Sequence, residues 1–225
     1  MKFGEKVIYG STEDVKTHLH EMVSQLNDNL SEMQISGEFD YVKISLRGLT
    51  IYTDTLLGRL ISYKESPIEF CALTARSLFE CYLVIAFILS DPPRAKEFLG
   101  LKASEELEIN EGFLYLTKPS TPEEIKKTIH HRMDYIKQVM EKDEIALKRH
   151  WPVKYLAEQT NNKLEYQAFF KLYSKYIHPS SWIVNSSINE YGNPVFRNIF
   201  LLQGQHYASC ITKLVSNYQR EQAIA

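Results

Sequence analysis

From Leu78 to Leu89 only Glu80 interrupts an apolar run, so a helix through this stretch has no face left for water. Such a helix has to be covered on all sides. The run lies within Ser66 to Ser90, SPIEFCALTARSLFECYLVIAFILS, whose ends read as a start and a stop. Ser66 suits an N-cap, Pro67 the first helical position and Glu69 the capping-box position, while Asp91-Pro92-Pro93 ends the helix. The apolar run is shorter than the ~20 residues needed to cross a bilayer, so the sequence predicts the central helix of a bundle and no membrane association.

The other segments carry the same signals. Ser11 and Asp14 predict a capped helix running to about Ile35, after an extended lead-in at residues 1–10. Val15, Leu19, Met22, Val23, Leu26 and Leu30 give it one apolar stripe, and Ser36-Gly37 breaks it. A second helix is predicted from Glu38 to Tyr63, with Gly48 and Gly58 inside it explained by close approach to the central helix. Pro92 to Leu99 reads as a short helix ended by Gly100, followed by an irregular acidic loop at about 101–120 containing Glu105, Glu106, Glu108 and Glu111. Thr121-Pro122-Glu123-Glu124 opens a long outer helix to about His150. A short helix covers 153–159, and another runs from Lys163 to Ile177. A further turn or two follows at Trp182 to Ile188, then a break at Tyr191-Gly192-Asn193-Pro194 and a last helix from Val195 to about Arg220. The expected fold is all-α: a single-domain bundle (residues 1–225) of five or six main helices around the buried helix at 66–90.

The formal net charge of −2 gives no global basic field for non-specific nucleic-acid binding, so any such contact has to be local. Cys71, Cys81 and Cys210 are odd in number and lack metal-ligand spacing, which predicts buried free thiols in a reducing compartment. The N-terminus has no signal-peptide core, and a cytoplasmic protein is expected. No HExxH, paired CxxC, Walker loop or GxGxxG is present, so neither a metal nor a cofactor is predicted.

Two constellations could carry chemistry. Arg76 and Glu80 stand at i and i+4 on one face of the central helix. They form either a buried ion pair that fixes register or a phosphate or carboxylate site in which Glu80 orients Arg76. The second is Tyr173-Ser-Lys-Tyr-Ile-His178-Pro-Ser180. Pro179 disfavours helical geometry at His178, placing this histidine at a helix end, where it serves as a structural hydrogen bonder or as a general acid or base. Lys175, Tyr173 and Ser180 are candidate substrate contacts beside it, and Ser180 and Ser181 fit a cap as well as a nucleophile. His130-His131-Arg132 and Lys148-Arg149-His150 are either a solvated face or a local contact for RNA or an acidic partner.

Arg76-Ser-Leu-Phe-Glu80, followed about a hundred residues later by Tyr173 to Ser180, resembles an uncharacterised bacterial helical family, one of the domains of unknown function. Its members carry an R-x-L-x-E helix and an H-P-S segment, and the resemblance covers about 40–210. The arrangement also resembles the HEPN superfamily, whose helical bundles often dimerise and cut RNA through an Arg-x4–6-His motif without metal. Five residues before His178 stands Tyr173, not arginine. The resemblance therefore implies that Arg76 supplies the positive charge from another helix. It implies a toxin or defence protein acting as a metal-independent endoribonuclease or RNA binder, with Arg76, Glu80 and His178 as its catalytic set and RNA, a protein partner or a second copy as its partners. The competing expectation is a non-catalytic helical protein–protein interaction or regulatory module.

Overall fold

The computed structural model describes residues 11–33, 40–63, 65–186 and 192–224. The expected lead-in at 1–10, the break at Ser36-Gly37 and Tyr191 lie outside the described residues. All regular structure among the described residues is helical. In order these are α1 (Thr12–Glu32), α2 (Tyr41–Ile61), α3 (Ile68–Ser90), α4 (Arg94–Tyr115), α5 (Glu123–Lys142), α6 (Val153–Gln159), α7 (Lys163–Glu165), a π-helical segment (Tyr166–Phe170), α8 (Lys171–Ile177), α9 (Ser181–Val184) and α10 (Pro194–Ile224). One domain is the expectation from length and composition; within the chain two compact units are distinct. One holds the chain up to Ser90 and from Val153 on, the other Asp91–Pro152.

In the first unit α3 is the hub, packing against α10, α2 and α8, while α1 lies on α2 and α10. Leu78, Phe79, Leu83, Ile85 and Ile88 are fully buried. Each such side chain contributes about 1.5–3 kcal/mol relative to exposure. By length and composition alone α3 could cross a membrane, yet over half of that stretch is buried inside the fold.

Its start differs from the expected capping box. The Pro67 carbonyl accepts from the Phe70 and Cys71 amides, and the Ser66 hydroxyl turns back to donate to the Ser62 carbonyl. With its amide also donating to the Ser62 carbonyl at 3.1 Å, Ser66 is tied to the end of α2. Arg197 of α10 clamps this turn by donating to the Tyr63 and Ser66 carbonyls. At α1 the Ser11–Asp14 capping box forms as the sequence predicts.

The glycines also correct the sequence reading. A Cβ on Gly48 or Gly58 would meet nothing within 4 Å, so neither marks a close approach. That role belongs to Gly204 of α10, where a Cβ would lie 2.5 Å from Leu60 Cδ1 of α2.

The second unit overturns the predicted acidic loop. Residues 101–115 are helical, continuing α4 straight through Gly100. Gly100 is a contact point, not a stop: a Cβ there would lie 2.2 Å from the Ala146 carbonyl oxygen. Ala103 and Leu107 face Met133, Ile136 and Met140 of α5 in a small core. Two of the glutamates pair with basic residues, Glu106 bonded to Arg132 of α5 and Glu105 facing His150 at 3.3 Å. Lys148 reaches Glu97 at 3.5 Å, so much of the basic charge at 130–132 and 148–150 meets acids of α4.

The long outer helix ends at Lys142 instead of about His150. Glu144 adopts a left-handed conformation (φ 52°), the Ile145 amide donates to the Met140 carbonyl at 2.8 Å and the Glu144 amide to Glu141 at 3.1 Å. This is a Schellman closure. With glutamate where glycine is usual, it leaves no signal in the sequence.

Candidate functional site

All the residues of the candidate site lie in the first unit. Arg76 and Glu80 project from the middle of α3, where helical spacing places them one turn apart, and Arg76 Nε donates to Glu80 Oε1 at 2.7 Å. Their side chains are 23% and 35% exposed, so the pair lies at the rim of the core. The guanidinium carbon sits 4.4 Å from the centroid of the Phe170 ring. A cation over an aromatic face is attracted by the ring quadrupole, and this fixes the guanidinium plane.

His178 approaches from α8. Its backbone is extended (φ −108°, ψ 157°), as the following proline requires, and its amide donates to the Ser174 carbonyl. The imidazole is exposed, and its Nε2 lies 3.5 Å from Arg76 Nη1, at the limit of hydrogen-bond distance. An arginine N–H can only donate. In this contact Nε2 is therefore the acceptor. The remaining guanidinium N–H groups have no protein partner among the described residues.

The structure thus brings Arg76, Glu80 and His178 together, with Arg76 bonded to both of the others, and gives the other three candidates different places. Tyr173 is fully buried, its ring 5.7 Å from that of Phe200, and burial drives its hydroxyl far above the ordinary phenol range. It is a core residue and not a ligand contact. Ser180 caps α9: its hydroxyl accepts from the Ile183 amide and donates to the Lys175 carbonyl at 2.7 Å. That occupation fits the capping alternative. Lys175 is exposed on α8.

Phe170 went unmarked in the sequence, where it is one aromatic among five on its helix. Its position eight residues before His178 was the available signal, but the π-helical segment that ends at Phe170 leaves no mark in the sequence pattern.

Behind this surface lies a buried phenol cluster. The Tyr207 hydroxyl donates to Glu165 at 3.3 Å, and the rings of Phe79 and Tyr82 pack on Tyr207. Burial raises the Glu165 carboxyl above its ordinary value, with the Tyr207 hydrogen bond opposing the shift. Among the described residues no three histidine, cysteine or acidic side chains gather closely enough to hold a metal ion.

Fold and site define a helical protein with a partly exposed arginine–glutamate–histidine cluster at the edge of its central helix. The chain belongs to DUF5677, a family of unknown function whose model matches residues 61–193. That span contains Arg76, Glu80, Phe170 and His178. No curated protein and no solved structure matches the chain.

Proposed function

We propose that this protein is a HEPN-like effector of a bacterial toxin or defence system, acting in the cytoplasm on RNA by metal-independent cleavage. The observation that carries the proposal is the meeting of Arg76 and His178, 102 residues apart, with guanidinium N–H groups left over and an exposed imidazole. A phosphodiester beside them would have its non-bridging oxygens on Arg76, whose orientation Glu80 and Phe170 hold. The phosphate would draw Arg76 Nη1 off His178, and the freed Nε2 lone pair would take the proton of the RNA 2′-hydroxyl as the 2′-oxygen bonds to phosphorus. The P–O5′ bond breaks, and the imidazolium returns its proton to the leaving 5′-oxygen, giving a 2′,3′-cyclic phosphate and a 5′-hydroxyl.

The test is cleavage of single-stranded RNA by the purified protein in EDTA, comparing wild type with His178→Ala and Arg76→Gln, each checked for its fold by circular dichroism. Loss of a general acid–base group costs about 10²–10⁴-fold. We expect a drop in that range for folded His178→Ala, with cyclic phosphate ends on the wild-type products. No cleavage of varied RNAs by wild type would overturn catalysis. The non-catalytic module would then be favoured, and one observation supports it: Ile109 and Phe113 are exposed one turn apart on α4, with Leu116 exposed at its C-cap.

A further inference from the structure

The guanidinium of Arg76 is the end of a stack. Beneath it lies the ring of Phe170, and Phe170 in turn stacks with Tyr166, centroids 4.9 Å apart and planes inclined by 24°. Both aromatic residues are half-buried, and they are the two ends of the π-helical segment Tyr166–Phe170. Leu164, Gln167 and Ala168 around them are exposed, Leu164 by 79%. An α-helix has little intrinsic reason to widen here, and such π turns recur at functional sites.

We propose that Tyr166, Phe170 and Arg76 form a stacking platform that receives an unpaired nucleobase of single-stranded RNA next to the phosphate held by Arg76. This rests on the RNA reading above and adds to it how the strand is held. A flat, half-exposed aromatic pair ending in a guanidinium offers π and cation–π contacts to any base, and such contacts tolerate sequence because every base has a π face. Bases in a duplex are already stacked and unavailable, so the platform selects single strands, loops and ends. The chain's small net charge of −2 fits a site that relies on stacking more than on a broad basic surface.

The experiment measures anisotropy of fluorescein-labelled octauridylate and of an abasic ribose-phosphate strand of equal length. The proteins are wild type, Tyr166→Leu, Tyr166→Phe and Arg76→Gln. Tyr166→Leu should weaken octauridylate binding about tenfold or more and leave the abasic strand unaffected, because one base–aromatic stack is lost. Tyr166→Phe, which keeps the ring, should bind like wild type, and Arg76→Gln should weaken both strands. Unchanged octauridylate affinity in Tyr166→Leu, or equal weakening toward both strands, would overturn the platform while leaving the RNA reading standing. Failure of wild type to bind either strand would overturn both.

Discussion

Burial pushes the Cys81 thiol up to about 12, with the nearby Glu80 carboxylate adding to the effect, and burial pushes Cys210 to about 11. Both should resist a thiol-specific disulfide reagent in the native protein at pH 8 and react promptly after denaturation. A thiol whose folded value exceeds its unfolded one holds its proton more tightly in the fold. The stability this contributes is whole below about pH 8.5 and is lost as pH rises toward about 11 and about 12. Urea midpoints measured from pH 7 to 10.5 should therefore fall at the alkaline end, and less steeply in Cys81→Ala. Glu165 gives a test at the other end of the scale. Its carboxyl is raised by burial, so its contribution is present when protonated and is lost as pH rises through the folded value. Glu165→Gln keeps an acceptor for Tyr207 and removes the charge. It should raise the melting temperature at pH 7 and lose that advantage near pH 4; a gain independent of pH would show that the carboxylate charge is not its source. Such shifts are invisible in the sequence, because Glu165 is one of many glutamates until Tyr207, 42 residues on, closes over it.

At the scale of elements, glycines separate what helical patterning reveals from what it conceals. Gly48 is exposed and a Cβ there meets nothing, so Gly48→Ala should stabilise α2 by about 0.5–1 kcal/mol through backbone entropy. Gly100→Ala would force a Cβ onto the Ala146 carbonyl oxygen, a backbone atom that cannot swing aside. We expect a loss of about 1–3 kcal/mol or more in chemical denaturation. Equal effects at the two positions would mean that Gly100 is not the contact the structure shows. Helix existence was legible wherever an apolar stripe repeated at 3.6 residues, as in α1 and α3. Helix ends were less so. A glycine reads as a stop in α4 and is none, while the true stop of α5 uses Glu144 in a conformation glycine usually supplies.

Taken whole, the molecule has a large core around α3 and a small one between α4 and α5 formed by Ala103, Leu107, Met133, Ile136 and Met140. Few buried contacts make for low local opening energies. Amides of α4 and α5 should exchange with solvent faster than those of α3 and α10. Leu107→Ala, which removes about 2–5 kcal/mol from a packed site, should accelerate exchange in the former pair and leave the latter unchanged. Equal acceleration in all four helices would show one cooperative unit.

The sequence by itself determined the all-α class, the buried central helix, the fate of the three cysteines and the identity of the polar residues on that helix. These follow from local periodicity, capping and the cost of wetting an all-apolar helix, none of which needs distant partners. The tertiary structure alone decided that Arg76 meets His178 across 102 residues, that Tyr173 turns inward, that Phe170 lies under the guanidinium and that Asp91–Pro152 forms a compact unit of its own. The reason is physical: neighbours along the chain fix which face of a helix is apolar. Which polar group closes on which depends on how helices far apart in sequence are brought into contact.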